Sequence, residues 1–226
     1  WVDKVEYTLI TKPNPPSGVT ATQGTSSDRI SLNWSAVTGA TSYEVWRSTS
    51  TSSSTATRID TVTTPGYADT SAVAGTTYYY WITAVNLAGA SVASTRISGY
   101  RLKIPTGLTI NGDTSVRAGG SATYTATATY NDGTTKTVTP TWSLSSGSSY
   151  GAINSSGVFT ANGTATQRNV TVAASYTENG VTVSNTKGVT ITTFTVTITF
   201  NGSGGTPSSQ TQTYTAYGTC GSLPTV

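Results

Sequence analysis

The sequence predicts an all-β chain. Three observations carry this. Tyr78, Tyr80, Ile82 and Ala84 recur at period two, which puts all four on one face of a strand. Short apolar-alternating runs are separated by turns rich in Gly and Ser along most of the chain. Asn179-Gly180 stands between two such runs, and this dipeptide favours the positive φ of a tight type I′ hairpin.

Composition narrows the chemistry. Ser and Thr make up roughly a third of the residues, well above ordinary usage. Charged residues are 9%, and net charge is +3 over 226 residues. So weak and scattered a positive balance gives no electrostatic footprint for nucleic acid or anionic lipid. There is no His, so Ser-His-Asp and Cys-His arrangements and His-ligated metal sites cannot be built. The nine acidic residues form no calcium-loop spacing and no recognisable glycosidase pair. Neither a catalytic residue nor a metal or cofactor site is predicted. The single Cys220 has no internal disulfide partner. No apolar run reaches the roughly 18 residues of a membrane span. A start without Met and an abrupt end at Pro224-Thr225-Val226 read as a piece of something longer.

Residues 1–12 show strand alternation, Val5, Tyr7 and Leu9 against Lys4, Glu6 and Thr8, and read as the end of a preceding β domain. Pro13-Asn14-Pro15-Pro16 reads as a stiff linker, because Pro fixes φ and cannot extend a ladder. The next strands are Ser17–Thr22, Arg29–Trp34 and Tyr43–Arg47. Ile30, Leu32 and Trp34 face inward, and the polar run Ser48–Thr57 forms a loop. Gly75 turns the chain into the Tyr78 strand. Taken together, residues 13–102 resemble a fibronectin type III domain. The resemblance makes Trp34 the core tryptophan. It places Tyr78 at the tyrosine corner, with its hydroxyl bonded back to backbone.

Residues 103–193 resemble a bacterial Ig-like domain of group 2. The resemblance rests on Ile104–Ile110, on Val116–Tyr124 with its Gly119-Gly120, on Thr141-Trp142-Ser143 and on Ala152–Thr160. It implies a second sandwich with a core tryptophan of its own, and Leu144–Tyr150 is longer than its pattern expects. Residues 194–226 resemble the first half of a Listeria–Bacteroides type repeat, through Phe194–Thr206 and Gly221–Thr225. The expected architecture is therefore two tandem Ig-like and fibronectin-III-like β-sandwiches, joined at Arg101-Leu102-Lys103, with partial β segments at both ends.

The candidate interaction face is aromatic. If Tyr43 and Val45 point inward, Trp46 points outward; if Tyr78, Tyr80 and Ile82 point inward, Tyr79 and Trp81 point outward. Their strands are neighbours in this fold, so Trp46, Tyr79 and Trp81 share one side. Three readings stand: cross-strand packing under Arg47 or Arg96 stems, a contact with another protein, and stacking on glycans. The five Asn-x-Ser/Thr sequences read as by-products of a Ser- and Thr-rich chain.

The resemblances imply no enzyme. They imply a non-catalytic spacer or adhesion segment of a large bacterial secreted or cell-surface protein. Its partners would be other domains of the same polypeptide, copies of itself or surface glycans. The alternative is a structural subunit of an extracellular filament or surface layer, assembled by edge-strand pairing.

Overall fold

The computed structural model describes residues 9–163, 166–200 and 210–216, with 194–200 and 210–216 described by backbone pairing. The expected strand at Val5 and Tyr7 lies outside the described residues, as does Cys220. Among the described residues the helical turns are two 3-10 turns, Ser53–Thr55 and Ser148–Tyr150. No helix among them is long and apolar enough to cross a membrane. The chain divides between Ile104 and Pro105 into two compact units.

The first unit contains β1 (Thr20–Ala21), β2 (Ile30–Asn33), β3 (Ser42–Ser48), β4 (Thr57–Val62), β5 (Tyr67–Asp69), β6 (Tyr78–Asn86), β7 (Gly89–Ala90) and β8 (Ile97–Gly99). One sheet runs β1–β2–β5. The other runs β4–β3–β6–β7, with β8 also on β6. Period-two alternation is what lets these strands face each other as a sandwich. Ile30 and Leu32 from the first sheet, with Trp34 just beyond it, meet Tyr43, Val45, Tyr80 and Ile82 from the second. Trp34 packs edge-on against Tyr43 at 5.4 Å between ring centroids.

Two expectations change here. The first strand is only Thr20–Ala21, because the chain then leaves β2: Gln23 bridges to Tyr100. The proline stretch is not a free linker. Pro13 and Pro16 are buried, and Asn86 Nδ2 donates to the Thr11 carbonyl at 2.7 Å, tying the entering chain to the turn after β6.

The second unit contains β9 (Pro105–Asn111), β10 (Ser115–Arg117), β11 (Ser121–Thr123), β12 (Thr125–Tyr130), β13 (Thr135–Val138), β14 (Thr141–Ser146), β15 (Gly151–Ile153), β16 (Val158–Ala161), β17 (Arg168–Glu178) and β18 (Val181–Thr192). Its sheets run β10–β18–β17–β14, β13–β12–β9 and β11–β16–β15. Here β10 lies parallel to β18. Phe159, Tyr124, Val170, Val172 and Ile191 fill the core. Asn179 at φ 50 and Gly180 at φ 76 close the β17–β18 hairpin as the sequence predicts. Trp142 is half-buried at the edge of the core rather than inside it, since Phe159 and Tyr124 occupy the centre. The extra length after Leu144 becomes an irregularity in the β14 pairing, then Gly147 and the second 3-10 turn. Later in the same unit, β19 (Phe194–Phe200) and β20 (Gln210–Ala216) pair antiparallel with each other.

Candidate functional site

The register of β3 on β6 sets Trp46 directly opposite Trp81 and Ser48 opposite Tyr79. All three aromatics thus lie on the outer side of one sheet, as the alternation requires. They are not a free aromatic row. Trp81 is 6% exposed, and Trp46 and Tyr79 are half-buried. The Ser/Thr loop after β3 is the reason. Ser53 and Ala56 from that loop, with Ala93 and Thr83, line a cleft of about 110 Å³ around the two indoles. Arg96 Nη1 donates to the Thr51 carbonyl at 2.9 Å, holding the loop down. The same guanidinium sits 5.3 Å from the centre of the Tyr79 ring. Period two distinguishes the sides of a sheet but cannot show what the loop between β3 and β4 covers.

On the inner side, Tyr78 is buried, and the Val73 N–H donates to its hydroxyl at 3.3 Å. This is the expected corner, closed by the turn at Gly75. The Arg47 guanidinium lies 4.6 Å above the Tyr78 ring.

Sequence reasoning passed over Asp69. This carboxylate, at the end of β5, is fully buried. One oxygen accepts from Arg47 Nη1 and from the Tyr80 hydroxyl, each at 2.7 Å. The other accepts from Ser71 Oγ at 2.8 Å and from the backbone N–H groups of Ser71 and Ala72. Burial alone would raise its pKa, but the bonds from Tyr80, Arg47 and Ser71 outweigh it and hold it below the usual carboxylate value. Burial and the bond to Asp69 push the Tyr80 phenol far up. β5 belongs to one sheet and β3 and β6 to the other, so this network clasps the two sheets together. A lone acid in Tyr67-Ala68-Asp69 carries no motif. The signal available was the joint presence of Arg47 and Tyr80 on strands already placed.

In the second unit the Tyr130 and Tyr176 hydroxyls both donate to Glu178 Oε2, at 2.5 and 2.8 Å. This orders the hairpin end. Among the described residues no three His, Cys, Asp or Glu side chains gather as a metal site.

The buried tryptophan just after β2, the tyrosine corner at the start of β6 and the two-sheet arrangement make the first unit fibronectin type III-like in fold. No protein-family profile matches the chain. A poly(3-hydroxybutyrate) depolymerase of Ralstonia pickettii is 39% identical over 84 residues, which is 37% of this chain. The chain spans 16% of that curated relative's length. The crystal structure of an Fn3-like protein from Clostridium thermocellum shares 34% identity over 40% of this chain and 95% of that one, with a TM-score of 0.37. The fn3 domain of human contactin 1 shares 21% identity over 45% of this chain and 87% of that one, with a TM-score of 0.35.

Proposed function

We propose that the chain is a non-catalytic spacer or accessory segment of a larger bacterial protein, secreted or displayed at the cell surface. One observation carries this reading. A module-sized stretch of 84 residues, 39% identical, recurs inside a far longer depolymerase. A stretch reused at that scale behaves as a unit added to different proteins rather than as their reaction centre. In this reading the second sandwich is a bacterial Ig-like domain of group 2. The strands from Phe194 onward begin a Listeria–Bacteroides type repeat. The buried polar network at Asp69 is structural. The cleft at Trp46 and Trp81, with Tyr79 beside it, is the contact point for a glycan or a neighbouring protein.

The isolated chain, incubated with poly(3-hydroxybutyrate), is expected to release no soluble product. A catalytic module is expected elsewhere in the same open reading frame. Hydrolysis by the chain itself would overturn the reading.

A second reading has its own support. Among the described residues, β19 and β20 form a two-stranded ribbon with each other. The edge of such a ribbon can pair with another copy, as in a filament. Deleting residues 194–226 would then abolish self-association measured by sedimentation. A monomer before and after deletion rejects the filament.

A further inference from the structure

Between Val138, the end of β13, and Thr141, the start of β14, the chain passes from one sheet to another. Pro140 sits in that crossing, where its missing N–H interrupts no ladder. Alternation turns Val138, Pro140 and Trp142 inward, and Thr137 and Thr139 outward. Val138 and Pro140 are buried, but Trp142 is only half-buried. A pocket of about 190 Å³ opens beside it. Val138, Pro140 and the buried Tyr124 supply its apolar lining, and the Trp142 indole forms an aromatic wall. Exposed hydroxyl side chains stand around them: Thr125, Thr137, Thr139, Ser155 and Ser156.

The turn that carries Ser155 and Ser156 is tied in place. Asn154 Oδ1 accepts from the Ser156 and Val158 N–H groups, each at 3.0 Å. The Gly157 N–H donates to the Asn154 carbonyl at 3.0 Å, and the Gly157 carbonyl accepts from the Tyr124 N–H at 2.8 Å. A Cβ on Gly157 would meet the Tyr124 carbonyl and, at 3.0 Å, Trp142 Nε1. The turn therefore packs directly against the edge of the indole, and the pocket is formed in advance of any ligand. The hydroxyls themselves are unused. Neither they nor the Trp142 indole N–H make a side-chain hydrogen bond to a described residue. No lining residue carries a charge.

We propose that this pocket binds one pyranose ring of an uncharged polysaccharide. Its volume of about 190 Å³ is below the roughly 300 Å³ at which sites for whole small molecules begin, so it takes one ring of a chain that continues outside it. A pyranose sets a flat face of C–H groups against an aromatic ring. Its own hydroxyls both donate and accept, as Ser and Thr hydroxyls do. A proline-rich peptide would call for a groove lined by open aromatic rings. In this pocket only Trp142 is partly open, since Tyr124 is 1% exposed. An anionic ligand would call for cations, which the lining lacks. A hydrocarbon would cover the hydroxyls without pairing them. The site lies in the second unit, goes beyond the cleft at Trp46 and Trp81, and stands whether or not the chain is an accessory segment.

The test is titration of the whole chain with cellohexaose, chitohexaose and mannohexaose, read by NMR at the Trp142 indole N–H. That signal is assigned by its loss in Trp142→Phe, and decaproline is the peptide comparison. At least one of the sugars should move the Trp142 signal saturably. Thr139→Glu and Ser155→Glu place bulk and charge on the exposed rim and leave the ring intact. Each should weaken that binding about tenfold. Ser184→Glu, at an exposed position outside the pocket, should bind as the unmodified chain does. Thermal melts of the Glu variants should match that of the unmodified chain, which separates lost binding from lost folding. No movement with any sugar, movement with decaproline alone, or undiminished binding by both rim variants overturns the proposal. Shifts confined to the indoles of Trp46 and Trp81 also overturn it, and leave the cleft in the first unit as the glycan contact.

Discussion

The two units are both built from packed sheets but are held together differently. The first is cross-braced by ionisable groups: a fully buried Asp69 joins β5 to Arg47 on β3 and Tyr80 on β6. The second has no charge at its centre. Its core is Phe159 and Tyr124 set among Ala and Val residues, and the Glu178 carboxylate, bonded by Tyr130 and Tyr176, sits at a hairpin end. Buried charge makes a fold sensitive to protonation and to loss of one partner. A core built from one large ring among small residues is sensitive to volume instead. The units should therefore fail under different stresses.

The largest effects should come from Asp69→Ala and Phe159→Ala, each confined to its own unit. Removing the Asp69 carboxylate leaves Arg47, with a side chain 19% exposed, without its counter-ion. Breaking a buried pair on one side costs about 3–5 kcal/mol. Removing the Phe159 ring leaves a cavity, with a cost of about 3–5 kcal/mol. Residues 13–102 and 103–193, expressed separately, should each melt cooperatively, because each has its own core. In the whole chain, calorimetry should show one transition displaced and the other fixed for each variant. A shift of both transitions by either variant breaks the comparison.

Acid should separate the units next. Asp69 has a folded pKa below its unfolded value of about 3.9. Its contribution is complete above that value and is lost as pH falls through the folded value. The melting temperature of residues 13–102 should drop steeply below about pH 4, and in Asp69→Ala this steep component should vanish. An acid limb that survives in Asp69→Ala assigns the sensitivity to another carboxylate.

Much of the fold could be read from the chain because strand alternation and turn chemistry are local. Tyr78 to Ala84 fixed the inner face of β6, Ile30 and Leu32 that of β2, and Asn179-Gly180 the β17–β18 turn. What escaped was non-local. Asp69 draws on partners 22 residues earlier and 11 residues later, and no short window contains them. Trp81 faces outward as its parity demands, yet the loop after β3 covers it. The pocket beside Trp142 is visible only once the fold is known, because Thr125, Thr139 and Ser155 come from separate stretches of the chain. Composition announced the excess of Ser and Thr but not that folding would gather some of them around one ring.

The Asn179-Gly180 turn offers a smaller effect in the second unit. Gly180 has φ 76 with open space around its Cα, so Gly180→Ala meets no clash and reports backbone strain alone. The left-handed region costs a residue with a Cβ about 1–2 kcal/mol. The second transition should move by that amount, and the first should not move. An unchanged melt would mean that the turn adopts another conformation in solution.

The smallest effect is a difference between adjacent tyrosines. Tyr78 is inside, and its hydroxyl accepts from the Val73 N–H. Tyr78→Phe keeps the ring beneath Arg47 and deletes that acceptor, leaving a part-buried N–H without its partner. The cost should be about 1 kcal/mol. Tyr79 faces the other way, and its ring packs against the Arg96 guanidinium. Tyr79→Phe preserves the π face that the cation uses, so its cost should be near zero. Both variants report on the first transition in chemical denaturation. Equal losses would mean that the two rings share an environment and that the alternation of β6 is misread by one residue. A one-residue slip would also move Trp81 to the inner face and undo its pairing opposite Trp46, so this small difference tests the register on which the aromatic cleft depends.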